Sequence, residues 1–294
     1  MKIKAYAKLN LFFDIENLRE DGYHNVLSVN QSIDLADIID IELSNEINIT
    51  CSQNNTTIPT DKRNTCYKAV EQFCDYTNIK TGATIHITKN IPSEAGLGGA
   101  SADAAAVISG LNYLTKSNLC KKSLIEISAK VGADVPFCLV GGTAFCGGIG
   151  EKIIPLAPLC NCEFIIIKPA FGVSTKTAFQ RYDSKYLSSS TQEQTKIKKS
   201  KEKLDFFLEN LKTNNLQKIG DNFYNILEEV SDLKELNRIK NYLINAGAKG
   251  VLMTGSGSCI YGIVDPGAKN IMQKIEKSFP QVYLCKPTKN SIVI

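Results

Sequence analysis

The amino-acid sequence predicts an α+β protein of two domains. Its 294 residues suffice for one large domain or two ordinary ones. Strand-like and helix-like segments fall in runs, without a regular strand–helix alternation. The organisation changes near Pro158, which places the domains at 1–158 and 159–294. Neither part contains an internal repeat.

Each element follows from local pattern. Residues 3–15 alternate enough for a strand, with Asp14 near its end, and D-G-Y-H at 21–24 is a turn. Strands are expected at 25–34 and 38–49, then a polar loop over 51–64. Residues 65–77 have helical periodicity, with Ala69, Val70, Phe73 and Tyr76 on one side. A-T-I-H-I-T-K-N, 83–90, alternates as a half-exposed strand that Pro92 stops. A glycine-rich loop follows, then helices over 101–114 and 121–131. G-A-D-V-P-F opens a short helix, and 142–156 predicts a strand hairpin. Beyond the boundary come a buried strand in C-E-F-I-I-I-K-P-A, several helices between 175 and 245, and a strand–glycine turn–strand over 247–265. A helix at 269–278 and a strand at 281–286 complete the pattern.

Composition narrows the chemistry. With 43% hydrophobic and 22% charged residues the chain is an ordinary globular one, and its net charge of +4 suits anionic small molecules better than nucleic acid or a membrane surface. The basic run at 196–203 is interleaved with polar residues and reads as a solvated loop or helix face. Ten cysteines without C-x-x-C spacing read as small buried hydrophobes in a reducing compartment, and two histidines are too few for a histidine metal centre. Lys2, Lys4 and Lys8 interrupt any apolar signal segment, so a cytoplasmic protein is expected, as a monomer or homodimer.

The densest signal is I-P-S-E-A-G-L-G-G-A-S-A-D-A-A-A, residues 91–106. Strand, glycine loop and helix in that order form an anion site, because first-turn N–H groups lack intrahelical partners and carry partial positive charge. Gly96, Gly98 and Gly99 let backbone amides approach phosphate oxygens, Ala100 keeps the rim small, Ser101 offers a hydroxyl, and Leu97 is placed to anchor the loop. The plain alternative is a tight turn capping a helix. No G-K dipeptide occurs, so a Walker A loop is absent; a Rossmann fingerprint would need glycine where Ser101 stands. Protein-kinase and G-x-S-x-G signatures are also absent.

This stretch resembles the second signature of the GHMP kinases, the superfamily of galactokinase, homoserine kinase, mevalonate kinase and phosphomevalonate kinase. Three further stretches agree: A-K-L-N-L-F-F-D-I at 7–15 with D-G-Y-H, G-A-D-V-P-F at 132–137, and M-T-G-S-G-S-C-I-Y-G-I-V at 253–264. Many members carry two serines after G-L-G, whereas this chain has Gly99 and Ala100 there and its serine at Ser101. That variant is similar to the branch acting on cytidine diphosphate-linked methylerythritol. The resemblance implies a ribosomal-S5-domain-2-like first domain, a ferredoxin-like second domain and a site in the cleft between them. It implies ATP-dependent phosphorylation of that substrate's 2-hydroxyl, in non-mevalonate isoprenoid precursor synthesis. Other readings are another GHMP small-molecule kinase, for homoserine or mevalonate, or a non-catalytic nucleotide sensor; a dinucleotide-binding oxidoreductase is more distant.

Residue roles follow from the same resemblance. Asp134 becomes the base, where sequence alone favours a helix cap. Lys8 becomes its neighbour and a stabiliser of the developing alkoxide, where sequence alone allows a lysine snorkelling from a strand edge. Pro92, Gly96, Leu97, Gly98, Gly99, Ala100 and Ser101 form the ATP loop, with Lys89 near the adenine. Asn10, two residues from Lys8 on one strand face, reaches substrate hydroxyls. Tyr23 and His24 read the cytosine, by ring stacking and by hydrogen bonds to its polar edge, where a turn packed on the sheet is the alternative. Thr175 and Thr177 donate to substrate phosphates. Gly255 and Gly257 let a second loop approach the first, where a hairpin turn is the alternative. Magnesium is expected to be held mainly through ATP, with Ser101 as the nearest ligand and Asp103 able to assist.

Overall fold

The computed structural model describes residues 1–52, 58–186, 190–232 and 235–294, with backbone alone over 190–198. Residues 53–57 of the expected polar loop lie outside this description. The basic run falls in a helix, and its first three side chains likewise lie outside it.

A long antiparallel hairpin frames the first sheet. Strand β1, Lys2–Leu18, pairs with β2, His24–Ser44, from Lys2 opposite Asp40 to Leu18 opposite His24. The sequence predicts two strands where β2 runs unbroken. The apparent gap is a bulge: Ala36 pairs with Tyr6 and Ser32 with Lys8, so residues 33–35 arch over the partner strand. There the amide of Asp34 donates to the carbonyl of Lys286 at 3.0 Å. Strands β3, Asn48–Ser52, and β4, Gly82–Thr88, extend the sheet, and the hairpin β5, Thr143–Gly147, and β6, Lys152–Pro155, adds to β2.

Four helices attach to this unit: α1, Thr65–Thr77; α2, Gly99–Leu114; α3, Lys121–Val131; and α4, Val135–Val140. Asn64 caps α1, its Oδ1 accepting from the amide of Cys66. The alanines at 102 and 104–106 are buried, and their small size lets α2 lie close to the sheet. A Cβ at Gly110 would stand 2.8 Å from Ile3 Cδ1, which is closer than side chains pack.

The second half opens with β7, Glu163–Ile167. Helices α5, Thr175–Tyr186; α6, Ser190–Lys212; and α7, Leu216–Asp221 follow, then the short strand β8, Tyr224–Asn225. Next come α8, Ile226–Glu229; α9, Leu236–Asn245; and the hairpin of β9, Gly250–Met253, with β10, Ile260–Val264. Helix α10, Lys269–Ile275, leads to β11, Val282–Cys285, and β12, Ile292–Val293, lies near the C-terminus. Four of these strands form an antiparallel sheet in the order β11-β7-β10-β9. Counting from β7, the strand order is 4-1-3-2 with crossovers after the first and third strands, the βαββαβ arrangement of ferredoxin-like units.

The chain passes from one sheet to the other between Pro155 and Glu163, a stretch that contains Pro158. The two halves are nonetheless stitched together. Strand β8 pairs in parallel with β1, and β12 covers β1's outer edge. Phe207 of α6 packs on Phe12 of β1 with ring centroids 5.9 Å apart, and one apolar core runs through both halves. No helix among the described residues is long and apolar enough to cross a membrane. All ten cysteines are free; Cys120 and Cys160 are exposed, Cys51 and Cys74 half-buried, and the rest buried.

Candidate active site

A cleft of about 1040 Å³ opens where the glycine loop, the middle of β1 and the 255–257 turn meet. Gly98 ends the loop at φ +70° as the N-cap of α2, which therefore begins at Gly99, two residues earlier than the sequence predicts. No side chain caps this terminus. The first intrahelical bond there runs from Ala102 N to Gly98 O, so the amides of Gly99, Ala100 and Ser101 remain available to an anion.

Backbone contacts hold the loop from two sides. The amide of Lys8 donates to the carbonyl of Leu97 at 3.0 Å, and Leu97 is itself buried. The amide of Cys259 donates to the carbonyl of Ala95 at 3.2 Å, and the Thr254 hydroxyl to that of Gly96 at 3.2 Å. A Cβ on Gly96 would overlap the Thr254 carbonyl, and one on Gly255 would lie 3.3 Å from Gly96 Cα. These glycines let two backbones touch across the cleft, more than a hairpin turn alone would require.

Lys8 lies mid-β1 and is 3% exposed. Its ammonium donates to Asn10 Oδ1 at 2.7 Å and stands 3.4 Å from Asp134 Oδ2. Asp134 occupies the N-cap position of α4, yet its side chain makes no capping bond. The helix-cap alternative therefore has no support, and the half-exposed carboxylate faces the cleft beside Lys8. Asn10 is a hub: its Nδ2 donates to Ser28 Oγ at 3.0 Å and to Asn30 Oδ1 at 2.8 Å, and its carbonyl accepts from the Tyr261 hydroxyl at 2.9 Å. These donors and acceptors lock Asn10, and through it the position of the Lys8 ammonium.

Lys89 belongs to a buried triad beneath the loop. Its ammonium pairs with Asp37 and, at 2.9 Å, with Asp103 Oδ2. Asp37 Oδ1 also accepts the amides of Asn90 and Ile91, at 2.6 and 2.8 Å. The triad thus ties the strand end entering the loop to the first turns of α2 leaving it. Lys89 Nζ would lie 3.3 Å from a Cβ at Gly99, a further reason for glycine there. One ammonium cannot neutralise two carboxylates. Asp37 accepts from three donors, whereas Asp103 accepts from Lys89, and its Oδ1 has no partner among the described residues. Burial and the nearby Asp37 push the Asp103 carboxyl up to about 8, against the pull of Lys89. Lys89 is raised above its ordinary range, because its two carboxylates outweigh its burial.

The remaining expected residues divide. Thr175 lines the cleft, its hydroxyl 3.1 Å from that of Ser256, whereas Thr177 does not. Pro92, Gly257 and Ser101 also line it. Tyr23 sits 61% exposed at the tip of the β1–β2 turn, outside the cleft wall. His24 is also set back: its Nε2 stands 2.8 Å from Asp183 Oδ1, and its ring lies 5.1 Å from that of Phe179. Phe179, the last residue of the 171–179 stretch that holds Thr175 and Thr177, lines the cleft together with Phe13. Sequence reasoning passes over Ser28, Asn30 and Asp37; polar residues at the buried centre of a strand were the available signal.

No group of three His, Cys, Asp or Glu side chains among the described residues is placed to hold a metal. Asp103 gives one carboxylate oxygen to Lys89 and is almost fully buried. The Ser101 hydroxyl, half-buried at the cleft rim, fits as a single ligand to an ion carried in on phosphate oxygens.

Comparison with known proteins identifies the family. Residues 64–142 match the model of the GHMP kinases N terminal domain, and residues 207–281 that of the GHMP kinases C terminal domain. A 4-diphosphocytidyl-2-C-methyl-D-erythritol kinase of Clostridium tetani is 43% identical, over 97% of this chain and 99% of its own. One from Caldicellulosiruptor bescii is also 43% identical, over 90% and 89%. Among solved structures, a 4-(cytidine 5'-diphospho)-2C-methyl-D-erythritol kinase superposes with a TM-score of 0.75 at 26% identity, covering 98% of this chain and 99% of that one. A homoserine kinase from Cytophaga hutchinsonii reaches 0.81 at 21% identity, over 100% and 96%, which speaks to the fold alone.

Proposed function

The chain belongs to the GHMP kinases, and from that membership we propose that it phosphorylates the 2-hydroxyl of 4-diphosphocytidyl-2-C-methyl-D-erythritol with ATP, in non-mevalonate isoprenoid precursor synthesis. The observation that carries the mechanism is the Lys8–Asp134 pair, 3.4 Å apart, in the same cleft as the uncapped start of α2. The amides of Gly99, Ala100 and Ser101 receive the triphosphate tail. Asp134 accepts the proton of the acceptor hydroxyl. The freed oxygen bonds to the γ-phosphorus, the bond from that phosphorus to the β–γ bridging oxygen breaks, and ADP departs. Lys8 stabilises the oxygen as its charge develops, and its own position is fixed by Asn10. No covalent enzyme intermediate is required.

Magnesium, when bound with the nucleotide, neutralises phosphate charge; Ser101 is the residue this chain offers it. Phe179, with His24 behind it, supplies an aromatic face for the cytosine, and Thr175 a hydroxyl for the diphosphate. The boundary at residue 158 and a cytoplasmic location belong to the same reading.

An ADP-release assay across a panel of alcohols tests it. Turnover with the cytidylated erythritol, without turnover of mevalonate or homoserine, is the expected result. Equal activity on the uncytidylated polyol refutes cytosine recognition. Asp134→Asn should lower kcat by several orders of magnitude while nucleotide still binds; a variant retaining most of its activity removes Asp134 as the base.

A further inference from the structure

Among the described residues, four cationic side chains line the cleft: Lys8, Arg63, Lys89 and Lys168. Three have carboxylate partners: Lys8 faces Asp134, Arg63 holds Asp61 at 2.8 Å, and Lys89 holds Asp37 and Asp103. Lys168 pairs with no carboxylate of the described residues, although it is only 7% exposed. It follows the last residue of β7, and its ammonium donates to the carbonyls of Pro169 at 2.7 Å and Phe171 at 2.9 Å.

Those two bonds leave one N–H without a partner and the charge without a counter-ion. A buried ammonium without a counter-charge is costly, and carbonyl dipoles offset only part of the cost. The Phe171 carbonyl already accepts the Ser258 hydroxyl at 2.6 Å, so its remaining capacity is small. The segment Lys168 holds continues through Gly172 to Thr175 along the cleft wall. Among the described residues, Lys168 thus makes no ion pair in the wall of a pocket proposed to receive two polyphosphates, although the Glu94 carboxylate lies against Gly172 of the same wall.

We propose that Lys168 is the counter-charge for a phosphoryl oxyanion of a cleft-bound ligand, either the nucleotide donor or the diphosphate of the acceptor. The assignment rests on the kinase reading above, but its test needs no turnover. The test is calorimetric titration of the intact protein with ADP, CDP, adenosine and cytidine, for wild type, Lys168→Met and Lys168→Gln. Both variants remove the charge, and the glutamine amide retains a donor for one of the loop carbonyls. The expected result is a loss of roughly ten- to a hundredfold in affinity for one diphosphate, with its uncharged nucleoside changed by less than about twofold. Loss against ADP names the donor phosphates, and loss against CDP names the acceptor diphosphate. Should either variant bind both diphosphates as wild type does, or lose nucleoside and diphosphate in parallel, Lys168 merely staples its loop and the assignment fails. A wild-type protein that binds these ligands yet phosphorylates nothing refutes the kinase reading and leaves the outcome for Lys168 intact.

Discussion

Asp103→Asn isolates the charge imbalance of the triad beneath the glycine loop. An asparagine keeps an oxygen for Lys89 and imitates a carboxyl that carries its proton. In the folded protein Asp103 is pushed up to about 8, from an ordinary value of 3.8. Between those values the folded state holds a proton that the unfolded state has released. The resulting contribution to stability is complete below the unfolded value and is lost as pH rises through the folded one. Wild-type stability should therefore fall, relative to Asp103→Asn, by about 1.4 kcal/mol per pH unit in that window, or ~3 kcal/mol from pH 5 to pH 7. Urea denaturation of both proteins at each half unit of pH measures this, and titrating groups remote from the site cancel in the difference. The charged groups around the site are Lys89 and Asp37, with Cys66 and Cys51 close by; both thiols are raised by burial and so are not charged in this range. Parallel curves, or a wild type that loses stability relative to Asp103→Asn toward acid pH, would show that Asp103 is ionised in the fold and refute the charge balance described for the triad.

Other consequences are equally direct. Lys89→Met leaves the buried Asp37 and Asp103 side chains without their cation and should cost about 3–5 kcal/mol in denaturant unfolding. Gly96→Ala combines a backbone at φ +73° with a clash against the Thr254 carbonyl, so it should cost at least ~1–3 kcal/mol and raise the KM for ATP as the loop lifts. Lys8→Met should lower kcat by orders of magnitude with little change in ATP affinity, read by single-turnover kinetics beside equilibrium binding. Phe207→Ala should destabilise the whole molecule by about 3–5 kcal/mol in one transition, because Phe207 packs in the core that runs through both halves.

Much of the fold is legible in the sequence because local signals agree with tertiary ones. Alternation marks β4, helical periodicity marks α1, and the glycines mark the loop before α2. The bulge in β2 is not legible: residues 33–35 look like a break, and only pairing with residues 286–287 shows why the strand continues. Strand β12 escapes for a related reason, since two residues carry no periodicity. In the site, glycines and the G-A-D-V-P-F stretch point to the loops that line the cleft, but partners do not follow from spacing. Lys89 is expected near adenine and is found bound by Asp37, 52 residues away in sequence. Tyr23 and His24 stand out in the sequence as a ring pair, while Phe179, contributed by a helix of the other half, occupies the wall. Contacts joining distant segments are set by packing, which a linear pattern does not encode.

The edge strand β12 carries a consequence for how the molecule is made. Residues 288–293 lie along β1 and β2 through Tyr6 and Ser32 and pack on Gly141 after α4, so the first sheet is finished by a segment synthesised after all of the second. A fragment truncated at residue 158 would leave the outer edge of β1 bare, an invitation to intermolecular strand pairing. During translation the nascent first half must wait, partly assembled, for a clasp made after the second sheet.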